Sequence, residues 1–127
     1  MLQEDVPKVY GLEKIDRKLP VYVVEGPFDS TFVNNSVALC GSDGDVRCLD
    51  GCDIIFVYDN EPRNREIVKR IGRCIEGGQR VVIWPNGIVE KDINDMVLAG
   101  HDVMSMLKLN TYSGLQAKIK FNNWKKI

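Results

Sequence analysis

Carboxylate side chains follow short apolar segments at three places in this 127-residue chain. Glu25 comes directly after the first segment, and Asp59 and Glu61 come after the second. Asp92 lies in the loop that follows the third segment. Carboxylate oxygens are the ligands that hard divalent cations prefer, and a bound cation relieves the repulsion among clustered acids. The four residues therefore predict a site for magnesium or manganese, provided that the fold brings them together.

Residues beside these acids could bind a ligand or have only structural roles. Asp29 could bind a second cation or cap a helix, and Asp92 is also a plausible N-cap. Gly26 would let the backbone approach a phosphate or an ion closely. Arg63 could bind phosphates or could be only a solvent-exposed residue of a helix. The segment 59–61 could itself be only a polar turn that leads into a helix.

Continuous runs of β-branched and aromatic residues predict three strands that are buried on both faces. These runs are Val21–Val24, residues 54–58 and residues 81–84, with a weaker fourth candidate at residues 37–40. Helical periodicity and capping residues predict helices at residues 27–35, 62–76, 92–98, 103–107 and 112–119. Pro62 is expected in the first turn of the second helix, and Gly77 and Gly78 are expected to end it.

The alternation of strands with helices predicts an α/β fold. We expect a mostly parallel sheet of about four strands with helices on both faces, followed by a helical C-terminal segment. The carboxyl ends of the strands in such a sheet gather at one edge, where ligands bind. The four acids would converge on that edge. Residues 1–100 are expected to form the core, and residues 101–127 are expected to pack on it or extend from it.

Charge is segregated along the chain, although the formal net charge is only −1. From residue 103 onward there are five lysines and no acid, namely Lys108, Lys118, Lys120, Lys125 and Lys126. This tail could attract phosphates or an acidic partner, or it could be a solvated helix face.

The composition argues against membrane insertion, export and a zinc site. No apolar run approaches the roughly 18 residues of a membrane span, and the acidic start differs from a secretory signal. The four cysteines are therefore expected to be reduced thiols, and their spacing lacks the CxxC pairs of a zinc ribbon. His101 is expected at the surface. Trp84 and Trp124 are expected to pack in the interior rather than to stack on bases.

Four separated segments resemble, in order, the motifs of a known family. They are VVEGPFDS at residues 23–30, DNEPR at 59–63, KDINDM at 91–96 and GLQAK at 114–118. The first three are similar to motifs of the toprim domain, which bacterial-type primases, type IA and type II topoisomerases and some nucleases share. All four resemble the C-terminal third of tailed-phage DNA primases, and this similarity runs from about Val9 to the last residue.

The chain departs from the family pattern in two ways. Glu61 stands where the general toprim motif has a second aspartate, a form that the phage primases share. The zinc ribbon and the basic subdomain of such primases do not fit in 127 residues. We therefore expect a domain or a split-gene product that is inactive without those parts.

The resemblance implies a toprim fold and metal-dependent nucleotidyl transfer. The reaction would make RNA primers from ribonucleoside triphosphates on single-stranded DNA, with two Mg²⁺ or Mn²⁺ ions. The implied metal ligands are Asp59, Glu61 and Asp92, with Asp29 and Asp95 in support. Glu25 would be a ligand or the general base, and Gly26, Arg63 and Lys91 would contact the triphosphate. The implied partners are the replicative helicase and the missing N-terminal primase domains, in the cytoplasm of the host cell.

Three other functions remain open at this point. A toprim nuclease would use the same acids to break a phosphodiester. A phospho-receiver domain would use Asp59 as its acceptor. A helicase-docking module would use its lysine-rich tail, with Lys118, Lys120, Lys125 and Lys126, to contact a partner or DNA. We expect chemistry at the acidic edge not to depend directly on that tail.

Overall fold

A six-stranded sheet runs through the centre of the computed structural model, which describes residues 9–10, 14–39, 49 and 51–127. The strands are β1 (Val9–Tyr10), β2 (Val21–Val24), β3 (Ser36–Leu39), β4 (Ile54–Phe56), β5 (Arg80–Val82) and β6 (Thr111–Tyr112). Their spatial order is β1-β3-β2-β4-β5-β6. The four inner strands pair in parallel, whereas β1 and β6 pair antiparallel at the two edges.

The inner strands form where the apolar runs predict them. Val21, Val23 and Val24 in β2 are at most 2% exposed, as expected for a strand with neighbours on both sides and helices on both faces. The α/β architecture and the mostly parallel sheet are therefore confirmed. The expected number of about four strands is too low, because each edge strand has only two residues and so carries no periodic signal. Residues 1–8, 11–13, 40–48 and 50 lie outside the described residues, and two of the four cysteines, Cys40 and Cys48, are among them.

Within the described residues, five helices accompany the sheet: α1 (Pro27–Ser30), α2 (Arg65–Glu76), α3 (Ile93–Leu98), α4 (Val103–Leu109) and α5 (Gly114–Trp124). The helix predicted at 27–35 is reduced to the single turn of α1. The chain turns instead at Asn35, which has a left-handed φ of 52°. The side-chain amide of Asn35 donates to the carbonyl of Pro20 (2.8 Å), and this bond fixes the turn.

Capping residues set the ends of the longer helices. The start of α2 was expected at Pro62, but Asn64 caps the helix and Pro62 lies in the turn before it. The Asn64 side chain accepts hydrogen bonds from the N–H groups of Glu66 (3.0 Å) and Ile67 (3.2 Å). The predicted end at Gly77 and Gly78 is confirmed.

Side-chain caps begin α3 and α4, whereas α5 follows the last strand, β6. Asp92 and Asp102 are the N-caps of α3 and α4, and their carboxylates accept from the N–H groups of Asp95 and Ser105. Helix α5 starts later than the predicted residue 112, because residues 111–112 form β6. It also continues beyond the predicted end at residue 119.

The connections of the parallel strands run in opposite directions from the centre of the sheet. The chain passes from β2 through α1 outward to β3, and from β4 through α2 outward to β5. Since such crossovers are right-handed, α1 and α2 lie on opposite faces of the sheet. The strand order therefore reverses between β2 and β4, which is the position at which α/β sheets bind ligands.

Residues 101–127 contribute to both the sheet and a helical layer. Strand β6 pairs with β5, and α5 packs on α2 with Ala117, Phe121 and Trp124 buried. The ring of Phe121 lies against α2 at Gly72, 3.7 Å from where a Cβ atom would stand. In the described part of the chain, no helix has the length and apolar character that a membrane span requires.

The Asn64 cap is expected to contribute measurably to stability. Replacing Asn64 by Ala should lower the free energy of unfolding by about 1 kcal/mol, because two N–H groups of α2 lose their acceptor. Ser113 is the matched control, since it precedes α5 without a side-chain cap hydrogen bond. Ser113→Ala should therefore change stability by less than about 0.5 kcal/mol in urea unfolding. Equal losses in the two variants would contradict the role of the cap.

Candidate functional site

Glu25 and Asp59 meet where the strand order of the sheet reverses. Glu25 follows β2, and Asp59 follows β4 after two further residues. The two strands stay paired beyond β4, because the N–H of Val57 donates to the carbonyl of Val23 (2.8 Å). The N–H of Asp59 then donates to Oε1 of Glu25 (3.2 Å). The carboxylate of the first strand end is thus fixed on the backbone of the second.

Helix α3 brings Asp92 to the same edge, beside Asp29. Oδ1 of Asp29 accepts from the N–H of Asn94 (3.3 Å), so this carboxylate binds the first turn of α3 rather than capping its own helix. Oδ1 of Asp92 accepts from the N–H of Asp95 (2.8 Å). An open cleft of about 530 Å³ is lined by Gly26, Asp29, Asp92 and Asn94.

The electrostatic state of Asp59 shows how closely the acids gather. Burial raises the pKa of Asp59 to about 7, and the negative charges of neighbouring carboxylates add to this effect. Those neighbours are Glu25, Asp29, Glu61 and Asp92.

Burial also raises the pKa of Glu25 and of Asp29, whereas a hydrogen bond from the backbone lowers each of them. The positive charge of Arg70 also lowers the pKa of Glu25 and so partly offsets the effect of burial.

The donor set suits a hard divalent cation, since it consists of carboxylate oxygens with little positive charge to balance them. In residues 9–10, 14–39, 49 and 51–127, no three His, Cys, Asp or Glu side chains converge closely enough to hold one ion.

The remaining predicted site residues surround this cluster. Glu61 is partly buried, and its N–H donates to the carbonyl of Asp59 (2.9 Å) within a tight turn. Asp95 is exposed in the first turn of α3, and its charge contributes to the raised pKa of Asp29. Arg63 and Lys91 are exposed on the loops that carry the acids.

Asn60 connects the acidic loop to two other segments, and the sequence analysis missed it. Its N–H donates to the carbonyl of Lys91 (2.6 Å), and its amide nitrogen donates to the carbonyls of Ile88 (2.9 Å) and Glu90 (3.1 Å). Its Oδ1 accepts from Nε1 of Trp124 (2.9 Å). The available signal was an uncharged amide between two acids at a strand end.

The C-terminal helix contacts the acidic edge, and the expectation that chemistry there does not depend directly on the tail stays a prediction. Trp124 bonds to Asn60, and the N–H of Lys126 donates to the carbonyl of Pro62 (2.8 Å). Both contacts fall on the loop that carries Asp59 and Glu61. The expected packing roles of the two tryptophans are confirmed, because Trp84 is 3% exposed and Trp124 is 7% exposed.

The lysines of the tail are arranged around α5. Lys118, Lys120 and Lys126 are exposed, and Lys125 is partly buried. Nζ of Lys120 lies 5.5 Å from the ring centroid of Tyr112, and Nζ of Lys125 lies 5.0 Å from that of Phe121. These two lysines therefore also pack against aromatic rings of their own chain.

His101 differs from its expected surface position. Its side chain is only 31% exposed, and Nε2 lies 2.8 Å from Oε1 of Glu90. The turn at Gly100, which has a φ of 93°, folds His101 back so that its N–H donates to the carbonyl of Met96 (3.0 Å). His101 thereby supports the segment that leads to the acids of α3.

The sequence matches that of a phage DNA primase over nearly the whole length of the present chain. The chain is 34% identical, over 129 aligned residues, to the protein named DNA primase of Enterobacteria phage T4. The chain is related to a phage DNA primase. The match covers 97% of this chain and 37% of the T4 protein, so the chain spans a little over a third of its relative. The relationship to DNA primases that the four motifs indicate is confirmed, whereas no protein-family model matches the chain.

The raised pKa of Asp59 should appear as a pH dependence of stability in chelator-treated protein. An unfolded Asp has a pKa of about 3.9, and the folded value is about 7. The folded state therefore holds this proton more strongly, and the free energy of unfolding should fall as the pH rises from about 4 to about 7. Asp59→Asn lacks this dependence, so it should be the more stable protein at pH 8 by about 1 to 2 kcal/mol, allowing for partial solvent screening.

Urea unfolding at several pH values between 4 and 8 measures the difference. Glu76→Gln is the matched control, because it removes one acid from the exposed end of α2. That variant should follow the wild type. If the free energy of unfolding of Asp59→Asn also changes with pH as that of the wild type does, the pKa of Asp59 is not raised in the folded protein.

Proposed function

We propose that this chain is the toprim catalytic domain of a phage DNA primase. The observation that carries the proposal is the meeting of Glu25 and Asp59 where the strand order reverses, in a chain related to a DNA primase. Ligands of open α/β sheets bind at this position. The proposed reaction joins ribonucleoside triphosphates into an RNA primer on single-stranded DNA.

Asp59, Glu61 and Asp92 are the proposed ligands of Mg²⁺ or Mn²⁺, with Asp29 and Asp95 in support. Bound divalent ions, two in our proposal, would lower the pKa of the attacking 3′-hydroxyl and neutralise charge on the leaving pyrophosphate. The raised pKa of Asp59 supports this assignment, because a buried acid among other acids gains from a cation.

Glu25 is proposed as a further ligand or as the general base that accepts the hydroxyl proton. Burial raises the pKa of the Glu25 carboxyl, which makes it a better proton acceptor than an exposed glutamate. The N–H of Asp59 holds Oε1 of Glu25 and so orients the carboxylate. Arg63, Lys91 and the backbone at Gly26 are the proposed contacts of the triphosphate, since Arg63 and Lys91 are exposed cations beside the acids.

Primer synthesis in this proposal needs more than the present chain. The relative is longer, and the chain matches 37% of it. The zinc ribbon and the basic subdomain would hold the template and the incoming nucleotides, and the replicative helicase would be a partner in the host cytoplasm. The 127-residue chain alone would bind metal without making primers.

Metal binding by the chain is the first test of this proposal. Mn²⁺ titration followed by spin resonance should show saturable binding in the wild type. Asp59→Asn combined with Glu61→Gln should weaken the binding roughly tenfold or more, because two proposed ligands are lost. Asp16→Asn combined with Glu76→Gln makes the same change of charge on exposed residues near the opposite ends of the strands and should leave the affinity unchanged. Equal affinity in the two double variants would overturn the metal site.

The reaction itself is tested in a full-length parent protein that carries this domain. Asp59→Asn should lower primer synthesis from labelled ribonucleotides by about a hundredfold or more. Cleavage of labelled DNA with Mg²⁺, lost in the same variant, would indicate a nuclease instead. Unchanged primer synthesis in Asp59→Asn, with helicase association retained, would indicate a docking module.

A further inference from the structure

The side-chain amide of Asn60 joins the acidic loop, the segment before Asp92 and helix α5. All of its side-chain polar atoms and its N–H are hydrogen-bonded, to Ile88, Glu90, Lys91 and Trp124. The loop that carries Asp59 and Glu61 is thereby fixed relative to the segment that carries Asp92. A shift of Asn60 would move two groups of acids relative to each other.

Trp124 holds Asn60 from the far end of the chain, 64 residues away. The indole is 7% exposed and stacks on Phe121, so its position is fixed by packing in α5. A buried indole N–H needs an acceptor, and here the acceptor is Oδ1 of Asn60. The bond between Lys126 and Pro62 places the end of α5 against the same loop.

We propose that Trp124 and Asn60 are positioning residues, through which helix α5 sets the geometry of the acidic site. The inference rests on the proposed function, because the site is the same. It assigns the C-terminal helix a role at the acids beyond its packing on α2. Residues that orient metal ligands without touching the ion commonly change metal affinity by ten- to a hundredfold.

Trp124→Phe tests the proposal, because it keeps an aromatic ring in α5 while it removes the N–H donor, together with the part of the indole ring that carries it. Mn²⁺ should bind this variant about tenfold more weakly than the wild type. Ala117→Gly is the matched control, since Ala117 is buried in the same helix and its replacement destabilises α5 without removing the bond to Asn60. The control should bind Mn²⁺ as the wild type does.

Amide hydrogen exchange gives a second measurement that needs no metal. The N–H groups of Asn60 and Glu61 are bonded to the carbonyls of Lys91 and Asp59. In Trp124→Phe they should exchange about tenfold faster than in Ala117→Gly, because the loop loses a restraint that the control retains. Equal exchange rates in the two variants would overturn the proposal, as would equal Mn²⁺ affinities if the wild type binds the ion.

If the wild type does not bind Mn²⁺, the proposed metal site is wrong, and the exchange rates alone then decide whether Trp124 positions the loop.

The coupling between Asn60 and Trp124 is also measurable. Asn60→Ala and the double variant with Trp124→Phe should show the same loop exchange, because the bond is already lost in the single variant. Additive increases would show that Trp124 acts by another route and would overturn the pairing.

Discussion

Repulsion among buried carboxylates is the constraint on which the rest of this site depends. Burial raises the pKa of Asp59 to about 7, and the charges of four neighbouring acids add to this effect. Placing like charges together in a region of low dielectric costs free energy unless hydrogen bonds, protons or cations offset it. The fold must therefore hold these acids in place against a force that separates them.

Backbone N–H groups supply much of what holds them. Glu25 accepts from Asp59, Asp29 accepts from Asn94, and Asp92 accepts from Asp95. Each bond stabilises the charged form of a carboxylate without introducing a side-chain cation that would occupy the space of a ligand. These hydrogen bonds fix the carboxylates, and the cleft beside Gly26 is open. This arrangement suits the proposed metal site, in which a bound cation would supply the balancing charge.

The C-terminal helix is part of the same arrangement. Its tryptophan completes the hydrogen bonds of Asn60, and its end contacts the loop at Pro62. Helix α5 also packs on α2, which begins three residues after Pro62. The relationship to a phage DNA primase covers this helix as well, since 97% of the chain is matched. The lysine-rich segment is thereby joined to the domain that carries the acids.

The sequence by itself determined the inner strands, the helix cap at Asp92 and the placement of acids after strands, because each depends on neighbouring residues. Val21–Val24 reads as a buried strand from its side chains alone. Only the tertiary structure decided the two-residue edge strands, the shortening of α1 and the bond between Asn60 and Trp124. These features join residues far apart in the chain, and such pairs leave no local periodicity. Asp29 shows the difference most clearly, since its carboxylate binds the backbone of Asn94 rather than the helix in which it lies.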